Sequence, residues 1–197
     1  MCDVRLPKKP LGLRFLAAVV VFATCSRTAD GRENAGLEIE KYSRTKGPIA
    51  VEGVRDNLSG IAFNPHTGTL FCAINYPPAI LEIDTDGNVL RRYRIRNGGD
   101  TEGITCLSRK RVAIAEENTC RLVVFELPDT ARGATGVLDR RIAESVLVEP
   151  ENGNNVGLEG VTVATDAACF YMVKEMRPAA LYRVTRPDAE SQWQEAR

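Results

Sequence analysis

The chain has 197 residues and carries 26 lysine or arginine residues and 26 aspartate or glutamate residues, so its formal net charge is zero. Hydrophobic residues make up 44% of it, which is enough for a packed core and excludes a disordered chain as the expected class. Basic residues interleaved with aromatic ones form no stripe, so we expect no nucleic-acid partner.

The first 25 residues have the layout of an export signal. Lys8 and Lys9 supply a positive region, and the uncharged run from Phe15 to Cys25 is short for a membrane span. We therefore expect residues 1–25 to be a signal peptide or membrane anchor, and the protein to be periplasmic or associated with the cell membrane. Phe22-Ala23-Thr24-Cys25 is also similar to a lipoprotein box with Cys25 as the acylated residue. Cleavage after Cys25, an uncleaved anchor and a buried apolar segment are the alternatives.

A polar segment separates this signal from the predicted domain. Residues 26–36 contain Asp30-Gly31 and predict a flexible linker. The apolar residues Leu37, Ile39 and Tyr42 then predict a leading strand. We therefore expect the folded domain to span residues 37–197.

A carboxylate-glycine motif recurs along this domain. The stretch Asp100-Thr101-Glu102-Gly103-Ile104-Thr105 returns as Gly157-Leu158-Glu159-Gly160-Val161-Thr162, and Asn57-Leu58-Ser59-Gly60-Ile61-Ala62 is a weaker relative that precedes both. Each copy begins a series of short apolar runs separated by turns. Short strands with a period of roughly 40 to 50 residues are typical of propeller blades. The sequence therefore predicts an all-β fold with about three blades of a β-propeller.

The runs within each unit define the predicted strands. The first unit has four, at residues 59–63, 70–74, 80–83 and 89–95, with turns at 64–68 and 84–88. The second unit contains a predicted loop insertion at 129–136 and an outer strand at 142–148. A polar link at 150–155 leads to the third unit, which ends at Val184. Three blades leave apolar sheet faces uncovered, so we expect either a fragment of a longer protein or contact with copies of itself.

Four cysteines fall in or beside these strand runs. They are Cys72, Cys106, Cys120 and Cys169. In such positions a free thiol behaves as a small hydrophobic group, although an exported protein could oxidise them. No C-x-x-C pattern occurs, so zinc and thioredoxin-type chemistry have no support.

The ordered set of motifs resembles the SdiA-regulated domain family, which includes the YjiK-like proteins. The motifs that carry the resemblance lie between residues 37 and 185, at 57–64, 84–90, 100–104, 115–117, 157–161 and 173–175. The resemblance implies a five-bladed β-propeller outside an N-terminal signal or membrane segment. It also implies a bound calcium ion, a distant relation to NHL-repeat propellers that bind partners, and no established catalytic activity. Compared with the family this chain stops early, which predicts a partial propeller.

The repeated carboxylates are the candidate metal ligands. The first strand of each propeller blade lines the central channel, so Glu102 and Glu159 should converge there, with Asn57 and Ser59 at the corresponding place in the first unit. Second strands return to the same rim, which adds Asn75, Glu117 and two further candidates, Glu116 and Glu175. Hard oxygen ligands suit Ca²⁺. The predicted ligands are Glu102, Glu159, Asn57, Glu116 and Glu175, with Asp100 and Thr101 as supporting residues.

Two structural alternatives compete with this metal site. Each Glu-Gly pair could be a turn whose carboxylate accepts backbone N–H bonds, and the strand-end carboxylates could simply be solvated. A second calcium motif is not expected at Asp84-Thr85-Asp86-Gly87-Asn88, because its glycine is displaced and Ile95 stands where an EF-hand has glutamate. That stretch predicts a hairpin turn.

The predicted function is a calcium-binding propeller of the cell envelope that binds another envelope protein or a small ligand. The alternative is a calcium-dependent hydrolase of the lactonase or phytase type, with Glu102 and Glu159 as acid and base. His66 is the only histidine and lies in a turn, which disfavours a Ser-His-Asp site. A truncated, non-functional remnant is the third hypothesis.

Overall fold

The structure is a computed structural model that describes residues 42–150, 157–164 and 169–185. The predicted signal, the linker and most of the leading strand and polar link lie outside these residues. The chain divides into two compact units, Met1–Thr45 and Lys46–Arg197. In the first unit only residues 42–45 are described, and they are exposed and form no strand.

No helix in the described ranges is long and apolar enough to span a membrane.

Within the described part, the unit Lys46–Arg197 contains twelve strands in three sheets. The first repeat forms β1 (Leu58–Asn64), β2 (Thr69–Ile74), β3 (Ala79–Ile83) and β4 (Val89–Arg96). The second forms β5 (Thr101–Cys106), β6 (Arg111–Glu116), β7 (Arg121–Glu126), β8 (Thr135–Asp139) and β9 (Glu144–Leu147), and the third forms β10 (Leu158–Val163), β11 (Cys169–Lys174) and β12 (Ala180–Thr185). The all-β, propeller-like fold with three sheet units is confirmed.

Antiparallel pairing builds most of each sheet, and β8 joins sheet 1 by parallel pairing. The strand orders are β1-β2-β3-β4-β8 in sheet 1, β5-β6-β7-β9 in sheet 2 and β10-β11-β12 in sheet 3. The predicted hairpin turn between β3 and β4 is present, with Gly87 at φ 88°. The Asp84 carboxylate accepts hydrogen bonds from the backbone N–H groups of Asp86 and Asn88, each at 2.9 Å. This Asx-type turn explains why the Asp-x-Asp-Gly-Asn stretch closes a hairpin.

The insertion in the second repeat differs from its prediction as a loop. Its last two residues, Thr135 and Gly136, begin strand β8, which pairs in parallel with β4 of sheet 1, for example Arg94 with Val137. Leu138 of this strand is buried in the core between sheets 1 and 2. Strand β8 therefore forms hydrogen bonds with β4 and becomes the edge strand of sheet 1. The outer strand predicted after it is confirmed as β9, which pairs with β7.

Sheet 2 is packed between the other two sheets. One of its faces meets sheet 1 through a cluster that includes Phe71, Ile80 and Ile114. The opposite face meets sheet 3 through a cluster that includes Leu122 and Phe170. A third cluster covers the outer face of sheet 1, where Val51 and Val54 pack against its buried residues.

Glycine allows the inner strands of successive sheets to approach closely. A Cβ atom added to Gly60 of β1 would lie 2.4 Å from the carbonyl oxygen of Glu102 in β5. A Cβ atom on Gly103 of β5 would lie 2.8 Å from the carbonyl oxygen of Glu159 in β10. Both glycines follow the same motif position, so the sequence repeat is also a repeat in space. The inner strands β1, β5 and β10 are therefore neighbours in that order.

The four cysteines of the domain are free thiols, as the sequence predicts. Burial raises the pKa of the Cys72 and Cys106 thiols to about 11. Neither forms appreciable thiolate at neutral pH, so these side chains serve as small apolar groups.

An ion pair joins sheet 3 to the segment that follows β9. Lys174 Nζ lies 2.7 Å from Glu149 Oε1, with the lysine side chain 7% and the glutamate side chain 15% exposed. The Tyr182 hydroxyl donates a hydrogen bond to the other oxygen of Glu149. The pair is thus well satisfied and shielded from solvent.

We expect Lys174→Met to lower the free energy of unfolding by about 2 kcal/mol, less than the loss from a fully buried pair, because Glu149 keeps Tyr182 and some solvent. Urea unfolding followed by circular dichroism measures this change. The control is Lys46→Met, which breaks an exposed pair with Asp86 and should cost at most about 1 kcal/mol. Equal losses in the two variants would contradict the shielding of the Glu149 pair.

Candidate metal centre

Backbone hydrogen bonds place the end of each second strand beside the start of its inner strand. The Glu117 N–H donates to the Asp100 carbonyl at 2.8 Å, and the Asn75 N–H donates to the Asn57 carbonyl at 3.1 Å. Asn75 and Glu117 are therefore equivalent positions in sheets 1 and 2. Both lie one residue beyond their strands.

Three carboxylates of sheet 2 converge at this end. Oxygen atoms of Asp100, Glu102 and Glu117 all lie within 4.8 Å of one another. Glu117 is only 1% exposed, whereas the other two are half-buried. Because Glu102 is the second residue of β5 and Glu117 directly follows β6, antiparallel pairing brings them to one end of the sheet.

One side chain from sheet 1 and one from sheet 3 lie next to the same cluster. From sheet 1, Asn75 Nδ2 donates to Glu102 Oε1 at 3.0 Å. The other amide atom, Asn75 Oδ1, is buried and has no hydrogen-bond partner among the described residues. From sheet 3, Glu159 is close enough for the Glu102 and Glu117 carboxylates to perturb its titration. The candidate centre is thus the three carboxylates of sheet 2, with Asn75 of sheet 1 and Glu159 of sheet 3 next to them.

A glycine begins the third repeat because the cluster leaves no room for a side chain there. A Cβ atom on Gly157 would lie 2.1 Å from the Glu117 carbonyl oxygen. The Gly157 N–H also donates to Glu117 Oε1 at 3.2 Å. This contact fixes the Glu117 carboxylate against the start of sheet 3.

Mutual repulsion and burial disfavour full ionisation of the cluster. Burial, followed by the Glu102 and Glu117 charges, raises the pKa of Asp100 to about 6. Burial, followed by the Glu117, Glu102 and Glu175 charges, raises the pKa of Glu159 to about 7. None of the four carboxylates forms a salt bridge with a described lysine or arginine. No described lysine or arginine therefore balances the excess negative charge.

The five predicted ligands do not all lie in this cluster. Glu102 belongs to it and Glu159 lies beside it, while Glu175 is exposed at its edge and adds to the field on Glu159. Glu116 points elsewhere, because both of its oxygens lie 2.8 Å from Arg140 Nε. The Asn57 amide donates to Asp56 and to the Tyr76 carbonyl. The structure therefore does not bring Glu116 or Asn57 to the centre.

Sequence reasoning left three cluster residues out of the predicted ligand set. They are Asp100, Glu117 and Asn75. Aligning the second strands by their pairing would have identified two of them, because Ile74, Glu116 and Lys174 pair with equivalent inner-strand residues. The residues that directly follow them are Asn75, Glu117 and Glu175, respectively. Glu116 is one position too early, and successive side chains in a strand point to opposite faces.

The donor set fits calcium. Ca²⁺ takes six to eight oxygen ligands from carboxylates, amide carbonyls and water in flexible geometry. Asp100, Glu102, Glu117 and Glu159 would supply carboxylates, and the unpartnered Asn75 Oδ1 would supply an amide oxygen. A cation here would neutralise the repulsion that raises the pKa values of Asp100 and Glu159.

The raised pKa values predict how the stability of the metal-free protein depends on pH. Between the unfolded and folded pKa values of Asp100 and Glu159, the folded state holds more protons than the unfolded state. The free energy of unfolding should therefore fall as pH rises from about 4 to about 7. Urea midpoints in chelator-containing buffer across this range measure the effect. Glu159→Gln should flatten the upper part of the profile, and an unchanged profile in that variant would contradict the assignment.

Comparison with known protein families gives one match that covers most of the chain. Residues 35–196 match the SdiA-regulated family. A crystal structure of a protein of unknown function from Bacteroides caccae shares 16% sequence identity and a TM-score of 0.41, over 68% of this chain and 48% of that one. The chain thus spans about half the length of that solved protein. Since the family match covers most of its residues, the chain belongs to the SdiA-regulated family.

Proposed function

We propose that this protein is a calcium-binding, propeller-like module of the cell envelope that binds another protein or a small ligand. The observation that carries the proposal is the convergence of the Asp100, Glu102 and Glu117 carboxylates, without a basic partner among the described residues. Asn75 of sheet 1 is bonded to Glu102 and has a buried, unpartnered oxygen, and Glu159 of sheet 3 lies near enough for its pKa to rise. Such a set is costly in isolation and favourable around a cation.

Calcium in this position would join the three sheets. Asn75 follows β2 of sheet 1. Sheet 2 contributes Asp100, Glu102 and Glu117, and β10 of sheet 3 contributes Glu159. An ion that contacts all three binds only the folded arrangement and therefore stabilises it. The metal would have a structural role. The protein surface around it would then be available to contact a partner.

A binding role also agrees with the apolar surface of β1. Ile61 is 64% and Phe63 is 57% exposed on the side of sheet 1 that faces away from sheet 2. Exposed apolar side chains that lie together are typical of interaction surfaces. His66, in the turn after β1, is exposed and lies outside the carboxylate cluster.

The envelope location in this proposal rests on the sequence of residues 1–25. A fusion of residues 1–41 to alkaline phosphatase, which is active only after export, tests it. Activity outside the cytoplasm supports the location. Loss of activity when Lys8 and Lys9 are both changed to glutamate would tie export to the signal, whereas an inactive parent fusion would overturn it.

Isothermal titration calorimetry of the metal-free protein tests the calcium site directly. We expect one Ca²⁺ per chain and weaker binding of Mg²⁺, which prefers a smaller octahedral site. Asp100→Asn should weaken calcium binding at least tenfold, because it removes one charged ligand from the first coordination sphere. Absence of heat at millimolar calcium would refute the proposal.

A hydrolase is the second candidate because Glu159 has the properties of a general acid or base. Its pKa of about 7 lies near neutral pH, where proton transfer is most efficient. A neighbouring calcium ion would act as a Lewis acid on an ester or phosphate oxygen. A panel of lactones and phosphate esters tests this function. Turnover that persists in Glu159→Gln would count against it.

A further inference from the structure

A basic cavity lies on sheet 1, apart from the residues of the carboxylate cluster. Arg92, Arg94 and Arg96 occupy alternate positions of β4, so their side chains leave the same face of the sheet. All three line one cavity of about 260 Å³. Alternate residues of a strand are about 6.8 Å apart, a spacing that long arginine side chains can bridge to reach a common ligand.

The remaining walls of this arginine cavity are mainly apolar. Pro77 and Pro78 line one side and Val137 of β8 lines another. The Ile95 N–H donates to the Pro78 carbonyl at 2.9 Å, which attaches the proline segment to β4. The parallel pairing of β4 with β8 places Val137 opposite Arg94. The cavity thus combines three cations with a rigid apolar wall.

No carboxylate in the described part of the chain pairs with these three arginines. Arg91, on the opposite face of β4, lies 2.6 Å from Glu82, and Arg140 binds Glu116. By contrast, the Arg92 side chain donates only to the Gly53 carbonyl, and the side chains of Arg94 and Arg96 have no hydrogen bond or ion pair within the described ranges. The cavity therefore holds positive charge that the described residues leave unbalanced.

We propose that this cavity binds a phosphomonoester, in which a dianionic phosphoryl group is attached to a small apolar body. A guanidinium group presents planar pairs of N–H donors that match two phosphate oxygens. Three such groups suit a dianion with three terminal oxygens better than a single carboxylate. The proline and valine walls would contact the apolar body, and the cavity volume limits that body to about the size of one aromatic ring.

Calorimetric titration with phenyl phosphate tests the site in metal-free buffer, where calcium phosphate does not form. Phenyl phosphate should bind more tightly than inorganic phosphate, and phenol should not bind. Arg94→Gln and Arg96→Gln should each weaken phenyl phosphate binding about tenfold or more. Arg109→Gln removes an exposed arginine outside this cavity and should leave the affinity unchanged.

The source of the phosphoryl group is distinguished by vesicle sedimentation. Phosphatidylcholine vesicles with and without phosphatidic acid are mixed with the protein. Sedimentation that requires phosphatidic acid and is lost in Arg94→Gln identifies a lipid headgroup, whereas titration by phenyl phosphate without sedimentation identifies a free phosphomonoester. Binding to neither probe, or equal binding by wild type, Arg94→Gln and Arg96→Gln, would overturn the proposal.

Discussion

Calcium at about 100 times its dissociation constant is expected to raise the melting temperature of the metal-free protein by about 5–10 °C. Binding to the folded state alone at that ratio contributes about 2.7 kcal/mol. A domain of this size shifts by about 2–4 °C for each kcal/mol. The proposed ion contacts all three sheets, so opening any one of them releases it. Differential scanning calorimetry with calcium and with chelator measures the shift.

Two isosteric variants identify which carboxylates are responsible for the calcium effect. Glu117→Gln and Glu102→Gln keep the shape of the side chain and remove one negative charge from the centre. Each should abolish most of the calcium-induced shift. Each should also stabilise the metal-free protein slightly, because repulsion in the cluster falls. The two effects have opposite signs, so general damage to the fold cannot imitate them.

The matched control for these variants is Glu126→Gln. Glu126 ends β7 and is exposed, with a long 3.5 Å contact to Arg111. Its calcium-induced shift should equal that of the wild type. An undiminished shift in Glu102→Gln would place the ion elsewhere, and a shift of the same size with magnesium would contradict the proposed preference for calcium.

The sequence was sufficient to predict the strands because turn residues separate short apolar runs. Asp84 to Asn88 closes β3 and β4 as expected, and the carboxylate-glycine motif begins β5 and β10. Strand β8 was not predictable in the same way. It contains Gly136 and carries only one buried apolar side chain, Leu138. Its pairing depends on β4, which lies about forty residues earlier in the sequence. The residues of β8 alone therefore do not predict this strand.

The candidate centre was predictable only in part. The motif repeat predicts that Glu102 and Glu159 approach each other, because equivalent positions in successive blades converge. In the structure the Glu102 charge contributes to the raised pKa of Glu159. The sequence did not show whether Glu116 or Glu117 ends the second strand at the cluster. A difference of one residue changes the direction in which the carboxylate points. Glu116 faces Arg140, whereas Glu117 faces the cluster. Asn75 reaches Glu102 only because sheets 1 and 2 pack closely together. The order of the strands in the sequence does not give the distance between these sheets.

Gly103→Ala should reduce the free energy of unfolding by about 3 kcal/mol, at the upper end of the usual cost of overpacking. The added Cβ atom would lie 2.7 Å from the Val161 nitrogen and 2.8 Å from the Glu159 carbonyl oxygen. Both are backbone atoms of β10, which cannot rotate away, so β5 and β10 must separate. Urea unfolding measures the loss.

Two further glycines separate this steric effect from the general cost of the substitution. Gly160→Ala, at the equivalent position of β10, would meet only the Val173 side chain at 2.9 Å, and Gly47→Ala would meet nothing within 4 Å. Their losses should be smaller, in that order. Gly103 also lies next to Glu102, so separating the two strands would move Glu159 away from the cluster and weaken calcium binding. Gly103→Ala with wild-type stability and wild-type calcium affinity would therefore contradict both the contact between the inner strands and the centre that the contact assembles.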